Sequence, residues 1–307
     1  MKQLYYSLPQ YLKDTFGRKL YKVALETGMT CPNRDGKVAV GGCIFCGEGG
    51  SGDFAIYYEG KRLSREELIY NHQEIPKGDY IAYFQSFTNT YAPTSKLREI
   101  FTAALEDDLF AGISIATRPD CLGKDVLELL KELKEKYINK FIWVELGLQT
   151  IHESTAKWMN RGYPLEVFDE AGKNLKAINI EVIVHIIIGL PGEDQKMLLE
   201  TIQHLNACQI DGVKLQLLHY LKNTRLGVQY LSNPSQYHVL EMDEYVELVT
   251  ECIAHLDEHI VIHRLTGDGN AEDLIAPLWS TDKRRVLNLI NHMLKIKSYT
   301  QGCKLSK

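Results

Sequence analysis

Three observations predict a parallel α/β fold for this 307-residue chain. Segments of β-rich composition alternate with stretches of helical periodicity. Several strand candidates are nearly unbroken apolar runs, the composition of parallel strands covered on both faces. Polar, glycine-bearing groups recur just after them, where such folds gather ligands. Repeated strand–helix units of this length make either an open sheet or a barrel.

The strand candidates are 21–26, 80–84, 112–117, 141–146, 181–188 and 213–219, with a weaker one at 260–264. Helix candidates lie between them at 64–72, 94–107, 124–136, 165–178, 194–209 and 241–258, and a last one covers 282–296. From Asp125 to Lys134 the apolar residues fall three and four apart, as an amphipathic helix requires. Asp194, just after Pro191-Gly192, is placed to cap the helix that follows. The strand-end groups are Gln85-Ser86-Phe87-Thr88-Asn89, Thr117-Arg118-Pro119-Asp120, Gly147-Leu148-Gln149, Gly189-Leu190-Pro191-Gly192 and His219-Tyr220. No internal repeat interrupts the pattern. The stretch 222–240, with Asn223, Gly227, Asn233 and Pro234, is the expected boundary. It divides the chain into a strand–helix core (1–230) and a mostly helical C-terminal part (231–307).

Charge and composition narrow the function classes. The longest apolar run, Val182 to Ile188, is broken by His185 and is far shorter than a membrane span. The first residues lack a sustained apolar segment, so no signal peptide is read and a reducing cytoplasm is expected. A net charge of −5 gives no global nucleic-acid signature, but its distribution is polar. Residues 1–22 carry five Lys or Arg against Asp14, and residues 281–307 carry seven against Asp282. Those local nets of +4 and +6 leave −15 for the remainder, so a basic rim beside an acidic body is expected to attract a polyanion. The bland reading is two solubilising ends.

Seven cysteines are an odd number, and only three are clustered, as Cys31-Pro32-Asn33-Arg34-Asp35-Gly36-Lys37-Val38-Ala39-Val40-Gly41-Gly42-Cys43-Ile44-Phe45-Cys46. A long chain without a secretory signal is poor ground for a disulfide scaffold. Cys43 and Cys46 enclose two residues, which lets one turn aim both sulfurs at a single metal centre. Cys31 precedes them by a loop with three glycines that can fold back. A cubane held by three thiolates leaves one iron open to an exogenous chelator, which makes the site catalytic. A closed zinc site normally completes four Cys or His ligands, and the nearest histidine is His72. Zinc with a distant fourth donor stays open, as do incidental free thiols.

This loop, directly after the first strand, resembles the cluster loop of the radical S-adenosylmethionine (SAM) superfamily. The long gap between the first two cysteines resembles the branch that contains the catalytic subunit of Elongator. The resemblance continues through Ala116-Thr117-Arg118-Pro119-Asp120, Val144-Glu145-Leu146-Gly147-Leu148-Gln149-Thr150, Asn160-Arg161-Gly162-Tyr163 and Ile188-Gly189-Leu190-Pro191-Gly192, over roughly residues 20–225. Gln85 to Tyr91 and Arg264-Leu265-Thr266-Gly267-Asp268 resemble a compact bacterial subgroup more closely than Elongator itself. The resemblance implies a partial (β/α)6 barrel with SAM at its strand ends and reductive cleavage of SAM to a 5′-deoxyadenosyl radical. It implies a [4Fe–4S] cluster on Cys31, Cys43 and Cys46, with SAM's amino and carboxylate groups on the open iron. Phe45 is implied near the adenine, Gln85 and Ser86 near the SAM amino group, Gln149 near the ribose or methionyl portion, and Arg161 at the SAM carboxylate. Gly189 and Gly192 are implied to permit close approach of the adenosine.

Each residue also has a plainer reading. Glu145 is either a SAM-site or catalytic carboxylate or the satisfied partner of a nearby cation. Arg118 either serves the site or ties down a barrel loop, and His185 reads as a hydrogen-bonded core histidine. Cys121 stands at the catalytic face as a hydrogen-atom donor or covalent partner, whereas the other scattered cysteines read as small hydrophobes. No segment resembles the acetyltransferase domain of Elongator. The compact subgroup resembles enzymes that trim carboxymethylaminomethyl-uridine toward aminomethyl-uridine at the tRNA wobble position, with a donor such as flavodoxin or ferredoxin. A small metabolite or tetrapyrrole substrate, and an iron–sulfur RNA-binding protein without turnover, are the alternatives.

Overall fold

The computed structural model describes residues 3–47, 49–50, 55–61, 63, 79–267, 269 and 271–305. Its strands are β1 (Leu20–Glu26), β2 (Ile56–Tyr57), β3 (Asp79–Phe84), β4 (Phe110–Thr117), β5 (Phe141–Gln149), β6 (Glu181–Ile188), β7 (Gly212–Leu217), β8 (Tyr220–Leu221), β9 (Val261–Arg264) and β10 (Leu274–Ala276). Eight of them form one parallel sheet in the order β2-β1-β3-β4-β5-β6-β7-β9. The order runs from one edge to the other, so the barrel is partial. Its centre is the expected six strands, β1 and β3 to β7, and the short β2 and β9 extend the two edges. The helices are α1 (Leu8–Phe16), α2 (Thr94–Glu106), α3 (Lys124–Lys136), α4 (Glu153–Trp158), α5 (Leu165–Ala177), α6 (Gln195–Ala207), α7 (Arg225–Ser232), α8 (Met242–His255) and α9 (Lys283–Ile296). The helix expected over 64–72 lies outside the described residues.

Strand alternation divides the barrel into two faces. Leu25, Phe84, Ile115, Val144, Leu146, Val184, Ile186 and Leu215 point outward and are buried under the helices in the main core. Between them, Leu20, Ile81, Phe141, Trp143 and Ile183 point inward at the strand starts, where Leu12 of α1 joins them. Thus α1 is a plug for the lower end of the lumen. Tyr11 donates to Glu181 Oε1 at 2.6 Å, and Trp143 donates to the other oxygen of the same carboxylate. Pro9 sits in the first turn of α1, where its missing N–H costs no helical bond. Gly17 ends the helix at φ 69°, and its N–H returns to the Lys13 carbonyl.

The C-terminal part is helical apart from two strands. β9 pairs with β7 and so continues the barrel sheet, and β10 pairs antiparallel with β8. The expected boundary stretch contains α7, capped by Thr224, whose hydroxyl accepts from the Gly227 N–H. The two chain ends meet: Ile262 N–H donates to Tyr6 O, and Gln301 N–H donates to Leu4 O. No helix among the described residues is long and apolar enough to cross a membrane.

Candidate active site

The cysteine loop follows β1 and crosses the upper mouth of the barrel, at the C-terminal ends of the strands. Four hydrogen bonds, at Ile44 and Gly42, hold it. Ile44 N–H donates to Met159 O at 3.0 Å, and Ile44 O accepts from Leu226 N–H of α7 at 2.8 Å. Asn160 Nδ2 donates to Gly42 O at 2.8 Å, and Arg225 of α7 donates to the same carbonyl. In return, the fully buried Asn33 donates to Asn160 O at 2.6 Å and approaches the Cys43 sulfur at 3.5 Å. Gly162 has φ +83°, and a Cβ there would stand 2.7 Å from Asn33 Oδ1, so this joint demands glycine.

Cys31, Cys43 and Cys46 are free thiols of intermediate burial. The Cys43 thiol is drawn down to about 7 by its hydrogen bond with Cys46, assisted by the charge of Arg118, the Asn33 amide and the charge of Arg34. Cys46 is pushed up by that same hydrogen bond and by burial. A thiolate is the metal-binding form of cysteine, and Cys43 is the member of this pair drawn toward it. Three thiols under two guanidiniums fit an anionic thiolate-bound iron–sulfur cluster, with fewer protein ligands than the cube has irons.

Three of the six non-glycine residues with positive φ among the described residues stand at the mouth. Phe87, Gln149 and Asn160 are non-glycine residues in the left-handed region, at φ 60°, 65° and 56°. They terminate or flank the three segments that surround the cysteine loop, and such conformations persist only where surrounding structure holds them. After β3 the chain is pinned by Asn89, whose buried amide donates to Phe84 O, Ser86 O and Ala116 O, each at 3.0 Å. Ser86 is buried, and its hydroxyl has no hydrogen-bond partner among the described residues. It is an orphan group at the position implied for the SAM amino group. Gln85, half-buried, ends the same strand, and its N–H donates to Leu25 O.

The remaining residues singled out by sequence fall into three groups. Arg118, Cys121 and the cysteine loop share one neighbourhood. Arg118 makes paired bonds to Asp120 at 2.9 and 2.7 Å and donates to Arg161 O at 2.8 Å. Burial and Asp120 push the Cys121 thiol up to about 12, so it carries its hydrogen at neutral pH. Arg161 is only 1% exposed, and its guanidinium donates to Leu148 O, Thr150 O, Tyr163 O and Glu153. Those contacts describe a tie between the β5 turn and the α4 segment. Phe45 packs beside Ile44, Met159, Leu218 and Tyr220. Space is open beside Gly192, whereas the side of Gly189 that a Cβ would fill already holds Leu240 at 2.9 Å.

Glu145 is the third group by itself, placed in mid-lumen two inward positions below Gln149 on β5. It accepts from Ser114 Oγ at 2.6 Å, Lys22 Nζ at 2.6 Å, His185 Nε2 at 2.6 Å and the Lys214 ammonium. Each partner comes from a different strand. Burial opposes its ionisation, but the charges of Lys214 and Lys22 outweigh burial and hold its carboxyl well below the usual range. Burial pushes Lys214 down from the ordinary lysine range and His185 down to about 4, so His185 is neutral. Sequence reasoning placed Glu145 and His185 but missed Lys22, Ser114 and Lys214. The available signal was one polar side chain at the inward register of each strand.

The comparisons agree with this architecture. Residues 26–205 match the radical SAM superfamily profile, and residues 210–295 match the Radical_SAM C-terminal domain. The uncharacterized protein YtqA of Bacillus subtilis is 44% identical over 97% of this chain and 92% of its own length. The tRNA uridine(34) acetyltransferase of Methanocaldococcus jannaschii is 34% identical over 51% of this chain, which spans 28% of that protein. Among solved structures, the archaeal Methanocaldococcus infernus Elp3 superposes with a TM-score of 0.61 at 17% identity. That likeness covers 74% of this chain and 56% of Elp3, and it concerns the fold. With strand-end cysteines, a parallel partial barrel and a profile match across most of the core, this chain belongs to the radical SAM superfamily, an enzyme family whose cofactors are a [4Fe–4S] cluster and SAM.

Proposed function

We propose that this enzyme acts on transfer RNA and tailors the carboxymethylaminomethyl side chain of the wobble uridine toward aminomethyl-uridine. The observation that carries the reading is the 34% identity to a tRNA uridine(34) acetyltransferase, since position 34 is the wobble position. The Elp3-like fold supports it. In this reading Cys31, Cys43 and Cys46 hold the cluster. When bound, cluster and SAM supply a one-electron cleavage that yields a 5′-deoxyadenosyl radical, with flavodoxin or ferredoxin as the electron source. Ser86, Gln85 and Gln149 line the SAM side of the mouth, Phe45 flanks the adenine, and Gly192 leaves it room. Arg118 and Arg161 hold the loops that shape this face. Cys121 stands beside the cysteine loop as a protonated thiol.

The test is the nucleoside composition of transfer RNA from a strain that lacks the protein, read by mass spectrometry. Carboxymethylaminomethyl-uridine should accumulate and its aminomethyl product should vanish. The purified enzyme with SAM, reductant and that RNA should restore the product together with 5′-deoxyadenosine. Unchanged wobble nucleosides alongside SAM cleavage would instead direct attention to a small metabolite or tetrapyrrole.

A further inference from the structure

We infer that Lys22 receives the carboxylate of the substrate side chain on the floor of the barrel lumen, a proposal that rests on the wobble-uridine reading above. The lumen has three layers. Its lowest is the apolar plug of Leu20, Ile81, Phe141, Trp143 and Ile183 under α1, all buried. Above it lies a polar layer of Lys22, Ser114, Glu145, His185 and Lys214, joined through Glu145. One inward position higher, Ala24, Ala116 and Gly147 replace long side chains on three of the strands. Gly147 is only half-buried although its outward neighbours Leu146 and Leu148 are fully buried, and the inward Ala24 of β1 is half-buried too. Half-exposed residues there must face an open chamber, and the polar layer is its floor.

Among the described residues that floor carries more basic groups than acidic ones. Lys22, Lys214 and Glu145 meet there, Arg264 adds a positive charge nearby, and burial pushes Lys214, His185 and His263 toward their neutral forms. Lys22 already pairs with Glu145, and its ammonium keeps donor capacity for a second anion. The two lysines differ in access. Lys214 and Glu145 have 2% and 0% of their side chains exposed, but Lys22 keeps 20%. The plug closes the space below, so that accessible surface opens upward into the chamber. Lys22 has three N–H donors, and Glu145 is its one hydrogen-bond acceptor among the described residues. Its ammonium lies over Tyr83 and Trp143, with Nζ 4.7 and 5.7 Å from the ring centres, which orients it in advance. Nearby, His263 Nδ1 is buried without a hydrogen-bond partner among the described residues.

The experiment compares transfer RNA bearing carboxymethylaminomethyl-uridine with the same RNA whose carboxylate is converted to a neutral methylamide. Wild-type enzyme should prefer the acid in kcat/KM by about 10- to 100-fold, the worth of one charged hydrogen bond. Lys22→Gln should bring the two substrates near parity, and Lys22→Arg should keep the preference. Single-turnover rates read this ratio in a slow variant. Lys22→Met, which keeps a long unbranched side chain beside the rings, serves if Lys22→Gln does not fold. Lys22→Gln that keeps the acid preference overturns the inference and leaves the wobble-uridine reading intact. If it keeps the preference and instead loses SAM affinity in equilibrium binding, the carboxylate received at Lys22 is SAM's own. Wild-type enzyme that turns over neither RNA overturns both readings.

Discussion

At the scale of single residues, the mouth separates groups that can meet a ligand from groups spent on the scaffold. Ser86 belongs to the first kind, with a buried hydroxyl awaiting a partner, and Arg161 to the second. Arg161→Ala would strand the carbonyls of Thr150 and Tyr163 in a buried site, while Leu148 O keeps the Thr150 N–H. Leaving a buried acceptor unsatisfied costs about 1–3 kcal/mol each, so a loss on the order of 3 kcal/mol is expected after partial relaxation. A urea midpoint lowered at constant slope would report it. A variant of unchanged stability with weakened SAM binding would restore the guanidinium to the ligand set. Motif matching legibly places Arg161 at the mouth but cannot say where its donors go. They are taken by backbone carbonyls of a turn that exists only once β5 and α4 are folded. The same holds for Glu145, whose four partners lie on four other strands and become neighbours only through the barrel.

Among elements, α7 shows how a sequence cue for a linker and a functional support can coincide. Asn223, Gly227, Asn233 and Pro234 are breakers by composition, and they made 222–240 read as a boundary. Thr224 turns the first of these signals into a helix cap, and Gly227 is required because a Cβ would stand 1.9 Å from the Leu221 carbonyl. That close approach seats α7 on β8, from which Leu226 and Arg225 hold the cysteine loop. Gly227→Ala must lift the helix away, since the obstacle is backbone rather than a movable side chain. We predict that it lowers iron and acid-labile sulfide per chain after anaerobic reconstitution, while all three cysteines remain. Full cluster content in that variant would show that the loop holds its shape without α7. The six central strands were legible because their outward faces are continuous apolar runs. The plug α1 was not, because its short amphipathic stretch after Ser7 makes sense only against the inward faces of strands far along the chain.

Over the whole molecule, the basic ends are less uniform than their net charges suggest. Lys22 is committed to the lumen, and Lys297 and Lys304 are paired with Glu251, with Glu247 also on Lys297. These last two lie where the chain returns beside the end of α8, toward the strand starts, away from the cysteine mouth. Lys283, Arg284 and Arg285 are exposed in the first turn of α9. That turn follows β10, which pairs with β8 beyond the C-terminal end of β7, so it stands on the same side as the mouth. Cations in a first helical turn oppose the helix dipole, a local cost that an approaching phosphate would relieve. Phosphate contacts position a nucleic acid and weaken steeply with salt through counterion release. Reversing all three to Glu should therefore weaken transfer RNA binding and flatten its dependence on salt. Cleavage of SAM in the absence of RNA should persist, because α9 does not touch the cysteine loop through any hydrogen bond among the described residues. Binding isotherms over a salt series, with 5′-deoxyadenosine formation measured in parallel, separate the two effects. Identical affinity and slope in the two proteins would make this turn a solvated surface and leave the RNA to be held by other parts of the mouth.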